Sequence, residues 1–277
     1  MTITTALAAL AAGTPDRARA LASTVRTPLG RALAAYLASD ADGTVYDRPA
    51  AFQAFIEGGG NVGLYRAVSR ALNDLYDRVR PKTLLDVGCG DGRALLPALG
   101  HHRPRLTLVE PSAALLGTAV RGVPDGIRLD ARNTRVEDFL ADAEGRFDVA
   151  QSTFALHTLP HEDRDGVLAA LAPAVGKLAL VEFDVPDLTP DERFEFLAAT
   201  YERGLAEYDA DRDLVAQGFL MPVLTGQLLP GAVRSTWEQP ATAWAAQVAR
   251  AGFRDVRITP LHDYWSSPAF LLTASGS

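Results

Sequence analysis

Five short apolar runs alternate with helix-length segments in the middle of the chain, and this pattern limits the possible folds more than any other feature. The runs are TLLDVG (83–88), RLTLVE (105–110), GIRLDA (126–131), FDVAQST (147–153) and KLALVEF (177–183). Strands that are separated by helices predict right-handed βα units and a parallel sheet with helices on both faces. Ligands of such sheets bind at the carboxyl ends of the strands.

The segments that flank these runs have a different pattern. The first 80 residues are rich in Ala and Leu at helical spacing, and residues 186–240 interrupt the strand pattern with a predicted helix from about Pro190 to Tyr208. The last two apolar runs, FRDVRITPL and PAFLLTAS, are close enough to form an antiparallel hairpin. We therefore expect a helical N-terminal cap or lid at 1–80, and a domain at 81–277 with a helical insertion at 186–240 that roofs a pocket.

Composition excludes several classes of function. The chain has 34 acidic and 27 basic side chains, a net charge of −7, so it lacks the basic surface that nucleic-acid binding requires. The single Cys89 excludes an internal disulfide, and no apolar run approaches the roughly 20 residues of a membrane span. The Ala-rich N-terminus lacks the basic region of a signal peptide. We expect a cytoplasmic protein without nucleic-acid or membrane partners, and leave open a homodimer formed through the cap.

A glycine-rich loop directly follows the first buried run. Gly88, Gly90 and Gly92 allow the backbone to turn tightly and to approach a ligand closely. Glu110 ends the next run, where its carboxylate could accept hydrogen bonds from both hydroxyls of a ribose. The spacing therefore predicts a nucleoside-containing cofactor.

The charge of the loop distinguishes two kinds of cofactor. Dinucleotide-binding enzymes place a pyrophosphate on such a loop, and Asp86 and Asp91 would repel it. The same carboxylates suit a ligand with an ammonium and a sulfonium group. The negative charge of the loop therefore favours S-adenosylmethionine over NAD as the cofactor.

These motifs resemble the class I S-adenosylmethionine-dependent methyltransferases. The resemblance runs from about Tyr76 to Gly276 and rests on DVGCGDG, LVEPS, RVEDFL (135–140) and FDVAQSTFALH (147–157). It implies a doubly wound α/β fold with a mostly parallel seven-stranded sheet, an antiparallel last strand and S-adenosylmethionine as cofactor. One departure is Arg135, which stands where many relatives carry an Asp.

The resemblance also assigns the cofactor's parts to residues of this chain. Asp86 and the backbone of Gly88 and Gly90 would hold the methionine moiety, and Glu110 the ribose. The remaining contacts would be Val136 and Glu137 beside the adenine and Gln151 closing the site from the fourth strand.

Four side chains are candidates for catalysis. His157 follows the fourth strand, where it is either a general base for the acceptor's proton or a packing histidine. The glycine run 58–60 predicts a flexible hinge of a lid that could bring Tyr65 to the site. By the resemblance, the turn of the last hairpin lies at the cofactor's edge of the sheet, which makes His262 and Tyr264 candidates too. We expect no catalytic metal, because no two histidines have ligand spacing with a carboxylate and the adjacent His101 and His102 lie in a charged loop far from the predicted pocket.

Together these features predict a methyltransferase that acts on a small molecule. The composition, rich in Ala, Arg, Gly and Asp, is typical of GC-rich genomes and thereby hints at secondary metabolism. Two alternatives stay open. The enzyme could use or cyclise the aminocarboxypropyl arm of S-adenosylmethionine and release methylthioadenosine, or the chain could be a non-catalytic cofactor-binding subunit.

Overall fold

The computed structural model describes residues 2–39, 49–142, 145–232, 234 and 236–277, which form two compact units. The α/β unit comprises Leu64–Pro186, Ser235–Asp263 and Pro268–Ser277, and the helical unit comprises Met1–Gly63, Asp187–Arg234 and Tyr264–Ser267. The predicted cap at 1–80 thus contributes to both units, and the domain limits drawn from the sequence stay a prediction.

The α/β unit contains a seven-stranded sheet in the order β3-β2-β1-β4-β5-β7-β6. Its strands are β1 Thr83–Val87, β2 Arg105–Val109, β3 Leu129–Arg132, β4 Phe147–Thr153, β5 Val175–Phe183, β6 Arg254–His262 and β7 Ala269–Ser275. The pairs among β1 to β5 are parallel, whereas β7 is antiparallel to both of its neighbours. The predicted doubly wound α/β fold with an antiparallel last strand is confirmed.

Thirteen α-helices lie within the described ranges. They are α1 Ile3–Ala11, α2 Pro15–Ala22, α3 Pro28–Ala38, α4 Pro49–Glu57, α5 Gly59–Val79, α6 Leu95–Leu99, α7 Ala113–Gly122, α8 Val136–Asp142, α9 His161–Ala174, α10 Pro190–Ala206, α11 Arg212–Val215, α12 Met221–Leu228 and α13 Ala241–Arg250. A single π-helical turn, Ala216–Leu220, joins α11 to α12. In the described part of the chain, no helix is both long and apolar enough to cross a membrane.

The helical periodicity predicted from the sequence corresponds to buried faces. In α5, Leu64, Val68, Leu72 and Leu75 are at most 3% exposed. A second buried cluster joins the sheet to α8, α9 and α13, with Trp244 at 1% exposure among its largest side chains. Burial of this apolar surface is the main driving force that holds the strands in place.

The helical unit has its own signals. Thr189 caps α10 with a capping box, since its hydroxyl accepts from the Glu192 amide and the Glu192 carboxylate accepts from the Thr189 amide. The face predicted from the sequence is buried at Leu197, Tyr201 and Leu205. The predicted helix from about Pro190 is therefore present and ends near the expected residue.

The glycine run forms a tight corner where we expected a flexible connection. Helix α4 ends at Glu57 and α5 begins at Gly59, so Gly58 alone separates them. Tyr208 fills the corner: its hydroxyl donates to the Phe55 carbonyl at 3.0 Å and accepts from the Asn61 amide at 3.2 Å. A Cβ at Gly59 would lie 2.8 Å from this ring, and a Cβ at Gly60 would lie 2.6 Å from the Glu207 carboxylate, so the turn leaves no room for side chains.

We expect Gly59→Ala to destabilise the protein by about 1–3 kcal/mol. Gly59 has a φ of +51°, and a Cβ there would lie 2.8 Å from Cζ of Tyr208, whose hydroxyl is fixed by two hydrogen bonds. Gly166→Ala in α9 is the matched control, because a Cβ at Gly166 meets nothing within 4 Å and alanine favours a helix. The thermal unfolding midpoints of both variants test this; equal midpoints would contradict it.

Candidate active site

The glycine loop brings bare backbone to the carboxyl end of β1. The Gly88 amide donates to the Val109 carbonyl at 2.8 Å, which binds the loop to β2. Gly88 has a φ of +67° and a Cβ there would collide with the methyl group of Ala155. Gly90 has a φ of +54°, and a Cβ there would meet nothing within 4 Å. The backbone at Gly90 therefore borders open space that a ligand can fill.

Asp86 lies at the centre of a buried polar network. It is 3% exposed, and its Oδ2 accepts from the Gln151 side-chain amide at 3.0 Å. The Tyr76 hydroxyl in turn donates to Oε1 of Gln151. Within the described ranges, Oδ1 of Asp86 is buried with no hydrogen-bond partner. A cationic donor such as an ammonium group would satisfy this oxygen.

Burial also changes the ionisation of this carboxyl. Removal from water, opposed by the hydrogen bond from Gln151 and assisted by the negative charge of Glu110, raises the pKa of Asp86 to about 7. A positive ligand would restore the ionised form. The residue thus has a built-in preference for a cation.

Glu110 links the glycine loop to the segment after β2. It is 7% exposed; its Oε2 accepts from the Gly90 amide at 3.0 Å and its Oε1 from the Ser112 amide at 2.9 Å. Each carboxylate oxygen retains a second lone pair that could accept from a ribose hydroxyl. Asn133, at the end of β3, donates to the Glu110 and Pro111 carbonyls at 2.9 Å and so holds this turn.

The predicted adenine-side residues begin α8. Val136 is 8% exposed and offers an apolar surface, while Glu137 is bound by Arg135 at 2.5 Å between Oε1 and Nη2. Burial raises the pKa of Glu137, but the hydrogen bond and charge of Arg135 outweigh it and lower the pKa overall. The residue that departs from the family pattern thus neutralises its neighbour on the helix.

His157 forms a closely coupled pair with Glu182. The imidazole Nδ1 lies 2.7 Å from Oε2 of Glu182, and the backbone amide of His157 donates to Oε1 at 3.2 Å. Glu182 lies near the end of β5 and is 1% exposed. In the described part of the chain, Nε2 of His157 makes no hydrogen bond. Glu182 therefore orients the ring through Nδ1, and Nε2 is left to accept a proton.

The carboxylate makes this histidine more basic. Although burial of the ring lowers its pKa, the negative charge of Glu182 and the hydrogen bond to it raise the pKa of His157 above the ordinary 6.5. A more basic imidazole is a stronger acceptor for the proton of a hydroxyl group.

A buried arginine holds the turn that carries His157. The guanidinium of Arg164 donates to the carbonyls of Leu156 at 3.0 Å, Leu159 at 3.0 Å and Trp237 at 2.6 Å. The Trp237 amide donates back to the His157 carbonyl at 2.6 Å. Arg164 is fully buried. The position of the histidine thus depends on a side chain that the sequence did not single out.

Tyr65 lies in the α/β unit, near an aromatic pair formed by the residue after β4 and the last residue of β5. Its ring meets that of Phe154 edge-on, with centroids 6.0 Å apart, and Phe154 stacks on Phe183 at 4.5 Å. Burial first, then the charge of Asp91, raises the pKa of Tyr65 to about 12. The phenol is therefore protonated at neutral pH and can donate a hydrogen bond, but it does not act as a base.

The two candidates from the last hairpin fall in different units. His262 ends β6 in the α/β unit and is half-buried, whereas Tyr264 belongs to the helical unit. The Tyr264 hydroxyl donates to Oδ1 of Asn61 at 3.0 Å, which ties it to the glycine corner. Catalytic roles for His262 and Tyr264 stay predictions.

Several residues of the candidate site were missed by the sequence. The structure brings the predicted residues into two hydrogen-bonded pairs, Gly90 with Glu110 and Gln151 with Asp86. The residues that were missed and that support these pairs or His157 are Tyr76, Asn133, Arg164 and Glu182. Of these four, only Glu182 could have been noticed in the sequence, because it is a carboxylate within an otherwise apolar strand.

Known proteins resemble this chain in family and in fold. A family described as "Methyltransferase domain" matches residues 63–258, more than half of the chain. No curated protein sequence matches this chain. Among solved structures, magnesium protoporphyrin IX methyltransferase from Synechocystis PCC 6803, with bound S-adenosylhomocysteine, is 16% identical with a TM-score of 0.52; the match covers 78% of this chain and 85% of that one.

Two further structures are similar at the level of the fold. The mitomycin 7-O-methyltransferase MmcR is 19% identical with a TM-score of 0.52, over 90% of this chain and 66% of that one. PigF with S-adenosylhomocysteine is 17% identical with a TM-score of 0.51, over 90% and 69%. The chain therefore belongs to the methyltransferase-domain family, and its fold is that of the class I S-adenosylmethionine-dependent methyltransferases.

Proposed function

We propose that this enzyme transfers the methyl group of S-adenosylmethionine to a hydroxyl group of a small molecule. The observation that carries the choice of acceptor is the pair of His157 and Glu182, at the same edge of the sheet as the glycine loop. A histidine with one nitrogen fixed by a carboxylate is suited to take the proton of a hydroxyl. Two similar structures bear names of enzymes with small-molecule acceptors, magnesium protoporphyrin IX and mitomycin.

The residues present fit the cofactor. Asp86 has an unsatisfied buried oxygen, Glu110 has free lone pairs on both oxygens, and the backbone at Gly90 borders open space. Asp86 and the Gly88–Gly90 backbone would hold the methionine moiety and Glu110 the ribose, with Val136 and Glu137 beside the adenine. Gln151 would orient Asp86, and Tyr65 would add a hydroxyl donor. When bound, the cofactor supplies an electrophilic sulfonium methyl group.

The chain's own side chains would then do three things. His157 accepts the acceptor's proton at Nε2 while Glu182 holds Nδ1–H and stabilises the imidazolium that forms. Arg164 keeps the turn of His157 in register. Asp86 and Glu110 compensate the positive charge of the ligand in a site shielded from water, and most of the rate gain comes from positioning.

We expect Glu110→Ala to weaken binding of S-adenosylmethionine by about 10- to 100-fold, because hydrogen bonds to a charged acceptor contribute about 1.5–3 kcal/mol. Calorimetric titration of the purified protein measures this, with NADH as a ligand that should give no heat. Asp130→Asn on β3, whose carboxylate pairs with Arg132, is the matched control and should bind normally. Binding of NADH, or equal affinity of Glu110→Ala and wild type, would overturn the cofactor site.

The affinity for S-adenosylmethionine should increase between pH 6 and pH 8. Because the pKa of Asp86 is about 7 in the free protein, the carboxyl is largely protonated at pH 6 and must lose a proton when a cation binds. In Asp86→Asn this step disappears, so binding should be weaker and its remaining pH dependence smaller. Calorimetry in buffers of different ionisation enthalpy measures the released proton. A pH slope unaffected by Asp86→Asn would contradict this assignment.

Product analysis separates the remaining alternatives. Mass analysis that finds S-adenosylhomocysteine after turnover supports methyl transfer, whereas methylthioadenosine would mean that the aminocarboxypropyl arm is used. Tight cofactor binding without turnover of phenol, alcohol or amine acceptors would favour a non-catalytic subunit. The acidic net charge of −7 supports a small-molecule acceptor over nucleic acid. Cytoplasmic location, a homodimer and a place in secondary metabolism remain part of the proposal.

A further inference from the structure

Three side chains that ligate metals converge at the opposite edge of the sheet from the glycine loop. Asp77 lies in the last turns of α5, and His101 and His102 lie in the loop before β2. One ligand atom of each lies within 4.8 Å of the others. Oδ1 of Asp77 is 3.0 Å from Nε2 of His102 and 3.8 Å from Nε2 of His101.

We propose that Asp77, His101 and His102 bind a divalent transition-metal ion of the zinc type. Two imidazoles and one carboxylate are a ligand set that such ions prefer. Tetrahedral zinc with bonds of about 2.0–2.1 Å sets its ligand atoms about 3.4 Å apart. The observed separations of 3.0 and 3.8 Å lie on either side of this value, so small side-chain rotations complete the site. A fourth position stays open to water.

The buried histidine is preorganised by its surroundings. The His102 side chain is 10% exposed and its ring meets the ring of Tyr76 edge-on, with centroids 5.8 Å apart. The His102 amide donates to the Leu99 carbonyl at 2.7 Å. Arg103 donates to the Gly100 and His102 carbonyls, both at 2.9 Å. The loop is thereby fixed and only the exposed partners need to adjust.

The exposed partners supply the entry path. The His101 side chain is 80% exposed and that of Asp77 is 51% exposed. The imidazole of His101 packs over that of His102, with centroids 4.2 Å apart. An ion can therefore reach the two exposed ligands from solvent and then engage the buried one.

The surrounding charges limit the affinity. The three ligands open into a cleft of about 610 Å³ that is also lined by Arg80, Lys82 and Arg103. These positive side chains repel a divalent cation. We therefore expect a dissociation constant for the metal ion near micromolar, weaker than the nanomolar values of sites built only from carboxylates or thiolates. The same basic side chains could bind an inorganic anion such as phosphate, which is the alternative ligand of the cleft. The convergence of three ligand atoms favours the metal.

A bound ion would join the end of α5 to the loop before β2. Because the ligands lie at the amino ends of the strands, the ion would stabilise the fold and take no part in methyl transfer. An ion that binds the folded chain raises the unfolding temperature by mass action. This site is independent of the proposed function, so the failure of one leaves the other intact.

The test is calorimetric titration of the untagged full chain with zinc chloride, together with thermal unfolding with and without the ion. We expect one ion per chain, an unfolding midpoint several degrees higher, and at least tenfold weaker binding in His101→Ala and in Asp77→Asn. Both side chains are largely exposed, so these variants should fold normally. His161→Ala, an exposed histidine at the start of α9, is the matched control and should bind as wild type.

Three outcomes would overturn the proposal. One is the absence of zinc binding. Another is equal zinc affinity in wild type, His101→Ala and Asp77→Asn, which would place the ion elsewhere. The third is stabilisation by inorganic phosphate and not by zinc, with loss of the effect in Lys82→Ala, which would make the cleft an anion site.

Discussion

Replacing His157 with alanine should lower kcat by about 10²- to 10⁴-fold, the usual contribution of a positioned general base, and leave the affinity for S-adenosylmethionine unchanged. The imidazole contacts Glu182 through Nδ1 and no member of the Asp86 network, so its loss removes proton transfer without loosening the cofactor site. The measurement is steady-state turnover on an acceptor hydroxyl, with cofactor affinity determined separately. His161→Ala, four residues further along, is the control.

The pH profile distinguishes a base from a packing residue. A base must be neutral to act, so turnover rises as pH increases through the pKa of His157, which Glu182 holds above 6.5. In Glu182→Gln the negative charge that chiefly raises the pKa of His157 is lost. Burial and the charge of Arg164 then lower this pKa against the smaller effect of Glu238, so the pH at which activity is lost on the acid side should fall and kcat should decrease. If the acid side of the pH profile is unchanged in Glu182→Gln, or if His157→Ala turns over normally, the acceptor loses its proton without this residue.

The site's backbone elements could be predicted from the sequence because they depend on local pattern. A buried parallel strand is a short apolar run, and the residue that follows it necessarily reaches the carboxyl edge of the sheet. This is why Asp86 and Glu110, at or just past the ends of β1 and β2, could be assigned from their positions. Glu110 accepts from the Gly90 amide and Asp86 accepts from Gln151 on the neighbouring strand β4, while their roles toward a cofactor stay predictions.

The supporting side chains could not be predicted in the same way. Tyr76 and Gln151 are 75 residues apart in the sequence. His157 and Glu182 are 25 residues apart, one in the turn after β4 and the other near the end of β5. Their pairing depends on helix orientation and strand register, which local pattern does not encode. The glycine corner shows the same limit, since the Tyr208 ring that fixes it comes about 150 residues later in the chain.

Replacing Arg164 with methionine should destabilise the protein by about 3 kcal/mol, because methionine fills most of the volume but donates no hydrogen bond. The carbonyls of Leu156, Leu159 and Trp237 would then lose the hydrogen bonds from the guanidinium, and only that of Leu156 would keep a donor, the Leu159 amide. The guanidinium also lies 4.0 Å from the centroid of the Trp244 ring, a contact that methionine would not reproduce in kind. The midpoint of thermal unfolding should fall by about 6–12 °C.

The same variant should impair catalysis at temperatures where it is still folded. Two of the three carbonyls bracket His157, so a relaxed turn would change the distance from its ring to Glu182 and shift the acid limb of the pH profile. Arg146→Met is the control, because that exposed arginine also donates to backbone carbonyls, yet solvent can replace it. Arg164→Lys keeps the charge but not the forked geometry and should lie between the two. Wild-type stability with an unchanged pH profile in Arg164→Met would show that the turn holds His157 without the arginine; a lower midpoint with an unchanged profile would restrict its role to folding.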